Sequence, residues 1–324
     1  MFFISALVHN AKLSITAERP GIMHNTEKRI LLVAPRGFCF GVERGIKILD
    51  DTIARELGKV YVRKEIVHNT VLVEHYKSLG VVFVDELGEV PEGSVVVFST
   101  HGVAPSVRDE AIRKNLTVVD ATCPLVTKVH KEATRFKEQG ASIILIGDAA
   151  HPEVVGIMAE APGNIHLVRH ESDIGLLEGV DEKNIAWISQ TTLNFDETEK
   201  IVRRLREKYP LLQDPPQSDI CYATRNRQLA VRNVASECDL FIAVGSEKSN
   251  NTNKLAEVAL EAGAKRAIRV DMPEELDSID LSSTGTIGIT SGVSVTEKQL
   301  EGVVAYLEGL GYLRKEEAAT RWRL

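Results

Sequence analysis

Apolar runs of strand length alternate with helix-like stretches along nearly the whole chain. The strand candidates are Ile30–Ala34, Val60–Val62, Val81–Val84, Val95–Ser99, Thr117–Asp120, Ser142–Ile146, Ile165–Val168, Ile185–Ile188, Leu240–Val244, Arg266–Val270 and Thr286–Thr290. Between several of them lie amphipathic stretches: Gly41–Glu56, Ser106–Lys114, Lys128–Gln139, Phe195–Tyr209, Thr224–Glu237 and Asn253–Ala262. Short continuous apolar runs separated by helical periodicity predict α/β units with parallel sheets. Pro210–Ser218 breaks the pattern and reads as a linker. Each third of the chain holds strand-turn-helix units that end in a polar cluster, which predicts three similar α/β lobes around one centre. In such folds ligands bind beyond the carboxyl ends of the strands.

Composition narrows the class. With 324 residues the chain can form two or three domains with ample core. A formal charge of −7 gives no sign of a nucleic-acid or membrane surface. No apolar run approaches the roughly 20 residues of a membrane helix. The start, Met1 to Lys28, is mildly apolar but lacks a basic beginning and a long apolar centre, so it makes a poor signal peptide. Met23 offers an alternative start, and residues 1–28 are expected to be a dispensable extension. Four widely spaced cysteines do not make the disulfide framework of a secreted protein and suit a reducing cytoplasm.

Three of these cysteines have special surroundings: Arg-Gly-Phe-Cys39-Phe-Gly-Val, Asp-Ala-Thr-Cys123-Pro-Leu-Val and Asp-Ile-Cys221-Tyr-Ala-Thr. Each stands where a helix-like segment begins. Three thiolates converging from such turns can hold three irons of a [4Fe–4S] cluster and leave the fourth iron open to substrate. A lone cysteine such as Cys238 reads as a small buried hydrophobe, and the other three admit that reading too. A Cys/His zinc site is the other metal reading, although the chain has no C-x-x-C pair.

His68, His101 and His151 each follow an apolar strand. Singly they read as structural histidines; together they favour an anion site, since histidine donates charge-assisted bonds to phosphate oxygens. Glu153 reads either as a general acid in a partly desolvated loop or as a helix-start glutamate facing its own amides. Gly245–Asn253, Gln190–Thr192 and Thr290–Thr296 are hydroxyl- and amide-rich strand ends, suited to a diphosphate at a helix N-terminus or to ordinary capping.

Taken together the motifs resemble the LytB/IspH family, the 4-hydroxy-3-methylbut-2-enyl diphosphate reductases of the non-mevalonate isoprenoid pathway. The resemblance spans roughly residues 29–312. It rests on Pro-Arg-Gly-Phe-Cys39, Val-His68-Asn69, Ser-Thr-His101-Gly-Val, Asp-Ala-Thr-Cys123-Pro-Leu-Val-Thr-Lys-Val-His130, His151-Pro-Glu153 and Gln190-Thr191-Thr192-Leu. Asp-Ile-Cys221-Tyr-Ala-Thr-Arg-Asn-Arg-Gln, Gly245-Ser246 with Ser249 to Asn253, and Thr290-Ser-Gly-Val-Ser294 complete it. It implies three α/β lobes in pseudo-threefold arrangement around one [4Fe–4S] cluster per chain, ligated by Cys39, Cys123 and Cys221. His68, His101, His151, Thr191, Ser249, Asn250, Asn251 and Ser294 would bind an allylic diphosphate, and Glu153 would donate a proton. The substrate hydroxyl would leave from the unique iron, giving isopentenyl and dimethylallyl diphosphate. An external one-electron donor such as ferredoxin or flavodoxin is also implied.

The expected lobes are residues 41–122, 123–217, and 29–40 together with 218–324. Phe40, Asn250, Val293, Val295 and Thr296 depart from the family pattern. Phe40 is expected to narrow the pocket, and Asn250 to keep a donor for phosphate.

Overall fold

A computed structural model describes residues 28–56 and 58–316. Apart from Lys28, the expected extension 1–28 lies outside the described residues. Strand β1 (Arg29–Leu32) opens the described chain. A four-stranded sheet follows: β2 (Val60–Arg63), β3 (Val82–Val84), β4 (Val95–Phe98) and β5 (Thr117–Asp120), in the order β3-β2-β4-β5. The next sheet holds β6 (Ser142–Ile146), β7 (Ile165–Val168) and β8 (Ile185–Ser189), in the order β7-β6-β8. The last sheet takes β9 (Leu240–Val244), β10 (Ala267–Val270), β11 (Thr286–Ser291) and β12 (Leu313–Glu316), with β1 inserted between β11 and β12. All pairings between named strands are parallel.

The helices are α1 (Phe40–Arg55), α2 (Thr70–Ser78), α3 (Pro105–Arg113), α4 (Pro124–Glu138) and α5 (Pro152–Met158). They continue with α6 (Phe195–Lys208), α7 (Tyr222–Val234), α8 (Asn250–Glu261) and α9 (Glu297–Gly309). Helices cover both faces of each sheet, which is why the central strands are apolar at successive positions rather than alternate ones. On β9, Leu240, Ile242 and Val244 pack with Leu300, Val303 and Leu307 of α9. The intervening Phe241 and Ala243 pack with Ala230 and Val231 of α7 and Leu255 and Val258 of α8. On β6, Ile143 and Leu145 join Val129 and Phe136 of α4, while Ile144 and Ile146 join Val202 and Leu205 of α6.

This covering reveals the threefold logic. α1 leaves the β1 sheet and packs Val42 and Leu49 on the first four-stranded sheet. α4 leaves that sheet after β5 and packs on the three-stranded one. α7 follows the three-stranded sheet and packs on the five-stranded one. Cys39, Cys123 and Cys221 are the residues immediately before these crossover helices.

Some boundaries differ from the sequence expectation. α8 begins at Asn250, not near Asn253, because the Ser249 side chain caps it by accepting the Thr252 amide at 3.3 Å. α4 begins at Pro124 rather than near Lys128, since proline fits the first helical turn, where no amide partner is needed. The 210–218 segment is more than a linker: Gln213 runs beside β8, donating to Ile185 O and accepting from the Trp187 amide. No described helix is long and apolar enough to cross a membrane.

Candidate active site

The three cysteines occupy equivalent places, each the N-cap of its crossover helix. A helix N-terminus carries unsatisfied amides and a partial positive charge, both of which favour a thiolate. The Thr224 amide points at Cys221 Sγ (3.4 Å), and the Leu125 and Val126 amides lower the Cys123 pKa. Burial opposes them and wins: Cys123 is pushed up, and Cys221 is pushed up to about 11. A deprotonated set therefore needs an added positive charge, which a metal centre supplies as it displaces the protons.

Space for such a centre is visible at Gly41. A Cβ there would lie 2.6 Å from Cys123 Sγ and 3.9 Å from Cys39 Sγ, so only glycine leaves that space open. Among the described residues no three His, Cys, Asp or Glu side chains close on one point as a single ion requires. The three cysteines instead border one cavity of about 90 Å³. Three soft thiolate donors around an open space fit an iron–sulfur cluster.

The same cavity is lined by His68, His101, His151, Glu153, Thr191, Ser249, Asn250, Asn251 and Ser294. Every site residue expected from sequence is thus brought together. The His68 and His101 rings stack at 4.3 Å, and His151 stands edge-on to them at 5.6 and 5.7 Å. His151 Nδ1 accepts the Glu153 amide (3.2 Å), which leaves its proton on Nε2. Burial drives His101 well below the ordinary histidine range and His151 down to about 4; facing histidine charges push both the same way. His68 Nδ1 meets Glu65 (3.1 Å), and its Nε2 is buried without a partner. Asn251 is 2% exposed, yet both its amide atoms lack partners. Buried polar groups left open beside a cavity mark the place of a polar ligand.

Glu153 does not face its own helix amides. Its carboxyl crosses to the loop after β8 and accepts from Thr191 N (2.8 Å) and Thr191 Oγ1 (3.0 Å). Burial raises its pKa to about 7 against those two bonds, with Asp219 adding to the rise. Near neutral pH both the protonated and the ionised carboxyl are therefore populated.

The family model described as LytB protein matches residues 30–308. The chain belongs to the LytB family. Among curated LytB relatives, the 4-hydroxy-3-methylbut-2-enyl diphosphate reductase of Nocardia farcinica is 49% identical over 316 residues, covering 98% of this chain and 94% of that protein. The protein of that name from Cutibacterium acnes is 50% identical over 292 residues, 90% of each chain. The solved structure of the E-1-hydroxy-2-methyl-but-2-enyl-4-diphosphate reductase from Plasmodium falciparum superposes with a TM-score of 0.86 at 33% identity, covering 92% of this chain and 96% of that one.

The residues that depart from the LytB pattern find places. Phe40 does not narrow the pocket: at 60% exposure it turns to solvent, as the first residue of α1 after the Cys39 cap. Asn250 lines the cavity but gives its amide to Thr192 O (3.1 Å). Val293 lines the cavity, Val295 is core, and Thr296 caps α9 by accepting the Gln299 amide. Sequence reading missed a Lys248–Glu65 ion pair (2.5 Å) that ties the loop after β9 to the loop carrying His68. It also missed a buried trio in which Lys128 bridges Asp219 (2.8 Å) and Glu132 (3.2 Å). Glu65, three residues before His68, carried a faint signal; the partners at a distance in sequence carried none. A larger cleft of about 330 Å³ between β6, α6 and α8 holds no cysteine. Of its lining cations, Lys254 and Arg169 are already paired, with Glu197 and Glu257 and with Asp148.

Proposed function

We propose that this chain removes the hydroxyl of (E)-4-hydroxy-3-methylbut-2-enyl diphosphate reductively, giving isopentenyl and dimethylallyl diphosphate. That reaction is the last step of the non-mevalonate isoprenoid pathway. Two electrons and two protons enter, and the C–O bond breaks to release water. The observation that carries the reading is one cavity that joins three helix-capping thiols, a histidine–asparagine group open to an anion, and a carboxyl that titrates near 7. The names of the curated relatives support it.

Cys39, Cys123 and Cys221 would hold one [4Fe–4S] cluster. When bound, it supplies electrons one at a time and a Lewis acid for the departing oxygen. The chain's own residues do the rest. The Nε2–H of His151 and the open amide of Asn251 offer donors to the diphosphate, and His68, whose Nδ1–H goes to Glu65, adds an Nε2 donor in its imidazolium form. His101 stacks on His68, and Ser249 and Ser294 line the same cavity. Thr191 holds the Glu153 carboxyl from two sides, so its proton is aimed rather than free to rotate. Glu153 delivers that proton to the departing hydroxyl. The apolar walls Val42, Leu125 and Val126 keep water from the reacting end. An external one-electron donor of the ferredoxin or flavodoxin type supplies the electrons, and we place the reaction in the cytoplasm, where thiols stay reduced.

Protein purified without oxygen is expected to carry close to four irons and four sulfides and a broad visible band that bleaches on reduction. It should turn over the allylic diphosphate with a reduced donor. A colourless protein that stays inactive after anaerobic reconstitution overturns the proposal.

Diphosphate binding should also take up protons. His101 and His151 lie below the usual histidine range in the free site, and an anion raises both. Affinity for inorganic diphosphate therefore falls as pH rises from about 4 through the histidine values of the complex. Titration calorimetry at pH 6 in two buffers of different ionisation enthalpy reads this directly. Identical heats in both buffers would count against it.

A further inference from the structure

Arg227 lies on α7, six residues after the Cys221 cap, and is only 3% exposed. Its guanidinium donates to two backbone carbonyls, Gly37 O (2.5 Å) and Ala223 O (3.3 Å), and its Nε has no partner. Among the described residues no carboxylate pairs with it. Lys128, a half-buried cation, is by contrast flanked by Asp219 and Glu132. The ionisable groups that Arg227 does face are Cys39, Cys221 and Tyr222. A buried guanidinium without a counter-charge is costly, and breaking a buried pair usually costs more than forming it gains. As ligands the cysteines are thiolates, and those are the negative charges that can balance Arg227, which sits on the helix capped by Cys221 and is tied to the loop of Cys39.

We infer that Arg227 is the counter-charge of the cysteine-ligated centre and a positioning residue that sets how readily that centre accepts an electron. The inference rests on reading Cys39, Cys123 and Cys221 as cluster ligands. Each electron added from the external donor makes the centre more negative, and a fixed cation in a water-poor site stabilises that added charge. Arg227 also ties the Cys39 loop to the Cys221 helix through Gly37 O, so the charge is held in place by the two segments it serves.

The test is a redox titration of the anaerobically reconstituted full chain with dithionite and mediators, followed by visible absorbance and electron paramagnetic resonance. Arg227→Met and Arg227→Lys are compared with the parent. At the parent midpoint, the reduced-to-oxidised ratio of the methionine variant is expected to fall at least tenfold, a midpoint about 59 mV lower for one electron. The lysine variant keeps the charge and should stay near the parent. A methionine variant whose cluster titrates at the parent midpoint, even at lower iron content, overturns the inference, as does a lysine variant shifted equally far. Loss of iron from both variants would show a structural tie alone and overturns it too. A parent chain that takes up no cluster fails differently, because it removes the reading of the three cysteines themselves.

Discussion

Replacing Glu153 by glutamine lowers turnover by about 100-fold or more while iron content and diphosphate binding stay at the parent level. A positioned proton donor contributes roughly 10²–10⁴ to rate, and Glu153 is the one carboxyl among the described residues that line the cavity. Glutamine matches its shape. The amide oxygen can still accept the Thr191 N–H, and the Thr191 hydroxyl can turn to accept from the new NH2, so the change removes a proton rather than a fold. The pH profile separates this from a packing defect. Burial lifts the carboxyl from 4.5 to about 7, so the parent rate should fall as pH rises past 7 and the donor ionises. The residual rate of the variant should be flat across that range. Stability falls in the same direction as the parent rate, over a window that begins lower. The folded chain keeps a proton up to about pH 7 that the unfolded chain loses near 4.5. Glu153 is therefore tolerated best at low pH, and its burial weighs against folding as pH rises through 7. Above that pH the variant should melt higher than the parent. A loss of tenfold or less, or a parent profile that does not bend near 7, would move proton donation to another group.

Gly41→Ala should abolish cluster binding without harming the fold. The added Cβ would sit 2.6 Å from Cys123 Sγ. In the metal-free protein the thiol can swing aside at little cost. A ligating sulfur has no such freedom, so the methyl group and the ligated rotamer exclude one another. Alanine in the first turn of α1 is, if anything, a better helix former than glycine, by about 1 kcal/mol. The expected result is less than one iron per chain after anaerobic reconstitution, no measurable turnover, and a metal-free melting temperature no lower than that of the parent. Four irons retained in the variant would mean that the three sulfurs reach their centre from another direction.

The sequence made the chemistry more legible than the architecture around it. Cys39, Cys123 and Cys221 stood out because a cysteine before a helix start is a local pattern, and all three proved to be N-caps. His68, His101 and His151 were readable as strand-end residues, and they do meet, His68 stacked on His101 with His151 edge-on to both. The strand runs were legible because burial on two faces makes them continuously apolar. What escaped depends on distant partners. Lys248 pairs with Glu65 across 183 positions, and Arg227 meets Gly37 across 190; no periodicity encodes either. The start of α8 was missed for a local reason: Ser249, Asn250, Asn251 and Asn253 are all good caps, and only the Ser249–Thr252 bond decides among them. Phe40 was misjudged because a helix N-cap turns the next side chain outward, away from the space its neighbour faces.

The insertion of β1 between β11 and β12 sets an order of events in the growing chain. The strands of the first two sheets have all emerged once Ser189 leaves the ribosome, and each sheet can close behind the synthesis front. The five-stranded sheet cannot, because its second-to-last strand is the first one made. Arg29–Leu32 must wait for Thr286–Ser291 and Leu313–Glu316 before it has a neighbour on either side. Cys39 hangs from that waiting strand, and its amide is held by Val293 O, another late arrival. The earliest cysteine of the three is therefore the last to be placed, so a centre held by all three could assemble only once Val293 has been made. Nascent chains stalled before residue 286 should accept no iron, however long they are held.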